Sequence, residues 1–197
     1  MSADKQESFS FSPENLEKAK AIIAKYPQGR QRSAVMPLLD LAQRQNGNWL
    51  SEAAMRCVAE MLDLPYIRVY EVASFYTMYN LKPVGKYHLQ LCRTTPCWLR
   101  GAGDLRQVIR DKLGISHGET TEDGLFTMTE VECLGACCNA PMVQINDDYY
   151  EDLDADIMAG LLDKLASGEV PPPGSQKGRR GSEPFGERTT LLEKGES

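Results

Sequence analysis

The sequence has no excess of basic residues, and this argues against one broad class of function. Its 197 residues include 22 Lys and Arg against 28 Asp and Glu, so the formal net charge at pH 7 is −6. A protein that binds nucleic acid with much of its surface needs a positive surface. We therefore expect no nucleic-acid partner.

Long apolar runs and a targeting segment are also missing. The mean hydropathy is −0.41, and no run approaches the roughly 20 apolar residues that a membrane-spanning helix needs. The start, MSADKQESFSFSPEN, has neither the basic-then-apolar order of a secretory signal nor the Arg-rich character of a transit peptide. We expect a cytoplasmic protein that reaches a membrane only through its partners.

Cysteine, by contrast, is concentrated in one part of the chain. Five of the six cysteines lie between residues 92 and 138. In a chain without a secretory signal, clustered cysteines bind metal or carry out redox chemistry more often than they form structural disulfides. This segment is therefore the candidate functional site.

Ahead of the cysteines, apolar residues repeat at helical spacing. Between residues 12 and 80 the pattern predicts four short helices, with Ser12, Ser33 and Ser51 as capping residues. Helices this short need one another to bury their apolar stripes. We predict a helical N-terminal domain over residues 12–80.

From about residue 84 the period of the pattern changes. Residues 86–92 alternate like a half-buried strand, with Tyr87, Leu89 and Leu91 on one side. A helix, an extended stretch, a β-hairpin and a last helix capped by Asp154 follow. The order β-α-β-β-α predicts a small two-layer α/β domain of thioredoxin-like kind over residues 84–168.

The remaining residues, 169–197, are rich in proline, glycine and charge. Such a composition cannot bury enough apolar surface to fold alone. We predict an irregular, extended tail. It is either disordered or a strap that orders against a partner, with Phe185, Leu191 and Leu192 as anchors.

Four of the clustered cysteines form two pairs. Four residues separate Cys92 from Cys97, and three separate Cys133 from Cys137. Turn-forming residues lie inside both pairs, and each pair follows the end of a predicted strand. We expect the four sulfurs to converge at one edge of the sheet.

The spacing alone leaves the chemistry of these pairs open. Neither pair has the C-x2-C form that is common in four-cysteine zinc sites and in thioredoxin-type enzymes. A plant-type ferredoxin opens with C-x4-C, as Cys92 and Cys97 do. We favour a 2Fe-2S cluster over the alternatives, which are a zinc site, thiol redox chemistry and inert buried cysteines.

Three segments carry a more specific resemblance. They are YEVASFYTMYNLKPVGKYHLQLC at 70–92, CRTTPCWLRGA at 92–102 and EVECLGACCNAPMVQINDDYYEDL at 130–153. From about Tyr26 to Pro173 the chain resembles the 2Fe-2S subunits of the NADH dehydrogenase module of respiratory complex I. The resemblance implies an α+β architecture, in which an N-terminal helical bundle precedes a thioredoxin-like 2Fe-2S ferredoxin domain.

The resemblance also implies a ligand set and a function. The family's four ligands to one 2Fe-2S cluster fall on Cys92, Cys97, Cys133 and Cys137. The chain is then a one-electron carrier and has no complete active site of its own. It is expected to belong to an oxidoreductase complex that is also a translocase.

Two cysteines are left over. We interpret Cys138 as a small buried hydrophobe. The alternative is that Cys138 binds the cluster instead of Cys137. We interpret Cys57, on a predicted helix, as part of the core.

Aromatic residues near the end of the helical domain have two interpretations. Tyr70, Phe75, Tyr76 and Tyr79 lie at partly helical spacing, which is more often typical of a core. Contact with a partner subunit is the alternative.

The implied partners are other subunits of a complex. NADH and FMN are expected on a flavoprotein subunit beside this chain, and the large iron-sulfur subunit is a second candidate neighbour. The complex would place the chain in a peripheral arm on the inner face of the bacterial cell membrane. The alternatives are the equivalent subunit of an NAD-dependent formate dehydrogenase or NAD-coupled hydrogenase, a structural zinc module, and a thiol-disulfide enzyme.

Overall fold

Short amphipathic helices make up the first part of the chain. In the computed structural model, which describes residues 8–184 and 186, the chain divides into two units between Val84 and Gly85. The first unit contains helices α1 (Pro13–Ile23), α2 (Val35–Gln45), α3 (Glu52–Met61) and α4 (Tyr66–Phe75). The predicted N-terminal helices are confirmed.

Two of the three predicted capping serines begin helices. The Oγ atom of Ser12 accepts a hydrogen bond from a backbone N–H of α1, and Ser51 does the same for α3. The first N–H groups of a helix have no acceptor within the helix, and each serine supplies one. The prediction for Ser33 is wrong. Ser33 lies in a 3-10 turn that runs directly into α2, and the Val35 N–H bonds to the carbonyl of Arg32 in that turn.

The core of the first unit is formed by side chains from all four helices and from the segments between them. Its members include Ala19, Leu38, Leu39, Leu50, Val58 and Val69. Of the four aromatic residues with two interpretations, Tyr79 is buried in this core, whereas Phe75 is 77% exposed and Tyr70 and Tyr76 are each 40% exposed. The core interpretation is therefore wrong for these three.

In its described residues, the second unit combines a six-stranded sheet with three helices. Its elements are β1 (Tyr87–Cys92), α5 (Thr95–Leu99), α6 (Ala102–Leu113), β2 (Glu119–Thr120), β3 (Phe126–Val131), β4 (Val143–Ile145), β5 (Asp148–Glu151), α7 (Ala155–Ala166) and β6 (Gly174–Ser175). The strand order is β2-β3-β1-β4-β5-β6. β1 runs parallel to β3 and antiparallel to β4. The predicted elements are present, the extended stretch as β3 and the hairpin as β4 and β5, so three strands lie between α6 and α7 besides β2, and α5, β2 and β6 are added.

β1 is buried on both faces, so the prediction of a half-buried strand is wrong. His88, on the face opposite Leu89, is only 9% exposed. Its Nε2 atom lies 2.7 Å from the Thr129 hydroxyl, and burial lowers the pKa of the ring. A strand is buried on both faces when other parts of the chain pack over both.

The second core lies between the sheet and the pair α6 and α7, which pack against each other. Its buried members include Leu89, Leu105, Ile109, Phe126, Met128, Ile145, Met158 and Leu161. Asp154 caps α7 as predicted, because its carboxylate accepts from the Ile157 N–H at 2.9 Å. None of the helices within the described residues is long and apolar enough to cross a membrane.

The described part of the tail lies against the second unit. β6 pairs in parallel with β5, placing Gly174 beside Tyr150, and the Tyr150 hydroxyl donates to the Pro171 carbonyl at 3.0 Å. The predicted anchors Phe185, Leu191 and Leu192 lie outside the described residues.

Candidate metal centre

The parallel pairing of β1 and β3 brings two segments with cysteines to the same edge of the sheet. Cys92 ends β1 and lies opposite Val131, the last residue of β3. Cys133 follows two residues later. Since parallel strands end at the same edge, Cys92 and the loop that starts at Cys133 are neighbours although 41 positions separate them.

Cys97 belongs to the short helix α5, which begins three residues after β1. A proline occupies the first turn of α5, where a missing N–H costs nothing. The Cys97 side chain is buried, and its sulfur accepts a hydrogen bond from the backbone N–H of Met142. Trp98 and Leu99 of the same helix are 67% and 70% exposed.

The loop from Cys133 to Cys137 directs backbone N–H groups toward sulfur. Gly135 has a φ angle of +88°, a left-handed conformation that suits glycine, and its N–H bonds to the Cys133 sulfur. The N–H of Leu134 bonds to the Cys92 sulfur. The loop is anchored to β5, since the Tyr149 hydroxyl donates to the Leu134 carbonyl at 2.8 Å.

Two of the four sulfurs are in direct contact, and the other two lie nearby. Cys133 Sγ and Cys137 Sγ are 3.4 Å apart. Cys92 shifts the pKa of both Cys97 and Cys133, which places its sulfur near theirs. Cys92 and Cys97 are buried, whereas Cys133 and Cys137 are exposed. The four cysteines therefore extend from the buried interior of the unit to its surface.

Within each pair the pKa of one thiol is lowered and that of the other is raised. Burial raises the pKa of Cys92, but hydrogen bonds to its sulfur outweigh burial and leave the pKa below its usual value. Burial, and then donation to Cys92, raise the pKa of Cys97 to about 12. The Gly135 N–H lowers the pKa of Cys133, and donation to Cys133 raises that of Cys137. One member of each pair is thus favoured as the thiolate, the form that binds metal.

The donor set provides the thiols that a two-iron cluster needs. Two sulfurs bound to one tetrahedral ion at about 2.3 Å lie about 3.8 Å apart, close to the separation of the Cys133 and Cys137 sulfurs. Among the described residues, no group of three or more His, Cys, Asp or Glu side chains is arranged to hold one metal ion. Two adjacent pairs of thiols match the four-cysteine ligation of a [2Fe-2S] cluster, which has two metal ions to bind.

The two remaining cysteines have different surroundings. Cys57 is partly buried and packs against the core of the first unit, in agreement with its interpretation as core. Cys138 is exposed, so its interpretation as a buried hydrophobe is wrong. The 3-10 turn Cys137–Asn139 turns the next residue inward instead, and Asn139 is only 3% exposed.

Two residues beside the cysteines were missed by the sequence reasoning. The Asn139 side chain bonds to Glu151 and to the carbonyl of Gly181, and Arg179 bonds to the carbonyl of Cys138. Asn139 lies in the motif that begins at residue 130, and its place directly after the cysteines was the only signal. Arg179 lies in a polar tail whose composition carries no such signal.

Known proteins share both the sequence and the fold of this chain. The sequence pattern of the family "Thioredoxin-like [2Fe-2S] ferredoxin" matches residues 19–166. A relative from Rickettsia conorii, named as a subunit of NADH-quinone oxidoreductase, is 62% identical over 157 residues, which cover 80% of this chain and 94% of the relative. A protein of the same name from Rickettsia bellii is 60% identical over 157 residues, with the same coverage.

A solved structure shares the fold at low sequence identity. This is an NAD+-reducing [NiFe]-hydrogenase in the air-oxidized state, with a TM-score of 0.59 and 23% identity over 66% of this chain. The match spans only 23% of the hydrogenase chain. It shows a likeness of fold alone.

Proposed function

Since the pattern covers residues 19–166, the chain belongs to the thioredoxin-like [2Fe-2S] ferredoxin family, and we propose that it is the [2Fe-2S] electron-carrier subunit of an NADH:quinone oxidoreductase. The family supplies the cofactor, one [2Fe-2S] cluster. The observation that carries the proposal is the meeting of four cysteine sulfurs at one sheet edge, within a segment shared with relatives named for that enzyme.

The proposed ligands are Cys92, Cys97, Cys133 and Cys137. When bound, the cluster supplies reversible one-electron chemistry. The protein supplies four thiolates and the backbone N–H groups that bond to sulfur, which stabilise the negative charge of the bound group. Burial of Cys92 and Cys97 keeps water from one side of the site.

The proposed partner is a flavoprotein subunit that binds NADH and FMN. Trp98 and Leu99 support this proposal, because they are large, exposed apolar side chains that directly follow Cys97. Exposed aromatic and aliphatic side chains of this kind are enriched in protein interfaces. Docking there would place the cluster close to the flavin. The large iron-sulfur subunit is the second candidate neighbour.

The proposed location is the peripheral arm of the complex, on the cytoplasmic, inner face of the bacterial membrane. The relatives named as subunits of an NADH-quinone oxidoreductase support this placement. In this arrangement the chain reaches the membrane through other subunits.

A different NAD-linked assembly is the second candidate function. The fold shared with an NAD+-reducing hydrogenase favours it, but that match is 23% identical, against 62% for the relative from Rickettsia conorii. Purification of the tagged chain from its own cells, followed by mass spectrometry of the copurifying subunits, separates the two. Membrane subunits of a quinone reductase support the proposal, and a hydrogenase or formate dehydrogenase subunit contradicts it.

Metal analysis tests the cofactor. We expect chain purified without oxygen to contain about two iron and two sulfide per protein. Reduction with dithionite should then give an S = 1/2 EPR signal. A colourless, EPR-silent protein that contains zinc, or a metal-free protein with thiol-disulfide turnover, would contradict the proposal.

A further inference from the structure

Arg179 connects the tail to the turn that carries Cys137. Its Nε atom donates to Asp152 Oδ2 at 2.9 Å, and its Nη2 atom bonds to Asp152 Oδ1 and, at 2.7 Å, to the Cys138 carbonyl. The Arg179 and Asp152 side chains are only 11% and 6% exposed. A shielded, two-pronged ion pair of this kind fixes the direction of the guanidinium group.

Asp152 is itself held in place. The Ser175 hydroxyl donates to Asp152 Oδ2 at 2.6 Å, and the Ser175 Oγ atom accepts from the Arg179 N–H at 3.1 Å. Burial raises the pKa of Asp152, but the bonds from Arg179 and Ser175 outweigh burial and leave the pKa below its usual value. The carboxylate is therefore charged near neutral pH and pairs with Arg179.

Asn139 makes a second connection at the same turn. Its amide nitrogen donates to Glu151 Oε2 at 2.7 Å and to the Gly181 carbonyl at 2.8 Å, and its backbone carbonyl accepts from the Asp152 N–H at 2.8 Å. Both residues after Cys137 are thus bonded to the tail, through Arg179 and Gly181. The tail in turn is fixed to the sheet by the pairing of β6 with β5.

We propose that Arg179 is a positioning residue for the cluster, because it holds the Cys138 carbonyl and thereby the direction from which Cys137 binds iron. The inference rests on the proposed function, which makes Cys137 a ligand. Groups that orient metal ligands commonly change metal affinity by about 10–100-fold when they are removed. Arginine suits the role because its planar group bonds to the Asp152 carboxylate and the Cys138 carbonyl at once, which a single ammonium group does less well.

The test compares the full-length, cluster-loaded wild type with Arg179→Gln and Arg179→Lys. The matched control is Arg180→Gln, which removes the same charge from the next, exposed residue. Two quantities are measured, the rate of iron transfer to an iron(II) chelator in the presence of dithionite and the EPR g values of the reduced cluster. We expect both Arg179 variants to lose iron about tenfold faster, with shifted g values, and the control to match the wild type.

Three results would overturn the inference. The Arg179 variants could match the wild type in both measurements. They could lose iron faster with unchanged g values, which indicates general destabilisation without a change at the cluster. Arg179→Lys could restore wild-type behaviour, which indicates that charge alone matters.

Failure of the proposed function gives a different result. If the wild type contains no [2Fe-2S] cluster, the proposed function fails before any variant is compared. If the wild type contains the cluster and the variants do not respond, only the role of Arg179 is lost.

Discussion

At the scale of single residues, burial does not separate the proposed ligands from a core cysteine. Burial is the largest influence on both Cys57 and Cys97, and in both cases the pKa is raised. The difference lies in the neighbours. Both sulfurs receive a backbone N–H, from Met142 at Cys97 and from Phe11 at Cys57, but Cys97 also lies beside Cys92, whereas Cys57 packs against an apolar core. The contacts of a sulfur, and not its exposure, therefore indicate its role.

This difference predicts the outcome of serine substitutions. Changing any of the four proposed ligands to serine should lose or distort the cluster, because a hydroxyl is a poorer iron ligand than a thiolate. Iron and sulfide content and the EPR signal of the reduced protein measure the effect.

Cys57→Ser and Cys138→Ser are the controls and should retain a normal cluster. Loss of the cluster in Cys138→Ser together with its retention in Cys137→Ser would move the fourth ligand to Cys138. That result would contradict the assignment of Cys137 as a ligand.

The close packing around Gly85 allows a prediction about stability at the scale of one residue. A Cβ atom at this position would lie 2.8 Å from the backbone carbon of Phe126, and the Gly85 N–H donates to the Thr127 hydroxyl at 2.6 Å. We expect Gly85→Ala to lower the free energy of unfolding by about 1–3 kcal/mol, measured by urea denaturation. The control is Gly103→Ala in α6, where a Cβ meets nothing within 4 Å. Equal stability of the two variants would contradict the close approach at Gly85.

The residues of the site were predictable to different degrees. The cysteine pairs stand out by spacing, and the motifs around them carry a resemblance that assigns four of them. Asn139 and Arg179 act through bonds between segments that are about 40 positions apart, and a single sequence gives no sign of such pairing. Cys138 was misjudged because the direction of a side chain in a short turn depends on the turn geometry.

At the scale of elements, the tail is more than an unstructured end. β6 adds a two-residue strand to the sheet beside β5. The Gln176 N–H also donates to the Glu151 carbonyl at 3.0 Å. Together with Arg179, these bonds join the tail to β5 and to the turn after Cys137. The described contacts of the tail are therefore with its own domain.

A pair of truncations tests this role of the tail. Deleting residues 174–197 removes β6 and Arg179, so we expect a lower unfolding midpoint in urea and faster loss of iron to a chelator. Deleting residues 187–197 removes none of the contacts described above, so it provides the baseline against which the first truncation is compared. If the two truncations behave alike, the contacts of residues 174–184 do not support the cluster domain.

The longer elements and the hairpin of β4 and β5 were predictable, whereas α5 and the two-residue strands were not. Helices such as α3 and α7 combine an apolar stripe with a capping side chain, and both signals are local. β2 and β6 have two residues each, too few for any period, and they form because a neighbouring strand offers free backbone groups. β1 alternates in sequence but is buried on both faces, because burial of a strand face depends on what packs over the sheet and not on the pattern of the strand.

At the scale of the whole molecule, the chain suits work inside an assembly. Each unit has its own buried core, yet several large apolar side chains stay exposed in both units. They include Ile67, Phe75 and Met78 in the first unit and Trp98 and Leu99 in the second. Since such side chains are favoured at interfaces, their number is consistent with a subunit that is covered by partners.

Trp98 and Leu99 provide the test of docking, because they flank the proposed cluster. We expect the double variant Trp98→Ala, Leu99→Ala to bind the flavoprotein subunit at least about tenfold more weakly, since buried aromatic anchors often contribute about 2 kcal/mol or more. Isothermal titration calorimetry with the purified partner measures the affinity. The EPR spectrum should not change, because both side chains point to solvent.

Val170→Ala is the matched control for this test, since it trims another exposed apolar side chain of the second unit. It should bind like the wild type. If the double variant also binds like the wild type, the surface beside Cys97 is not the docking surface. The exposed side chains at Phe75 and Met78 then become the next segment to change, and the electron must reach the cluster from another side.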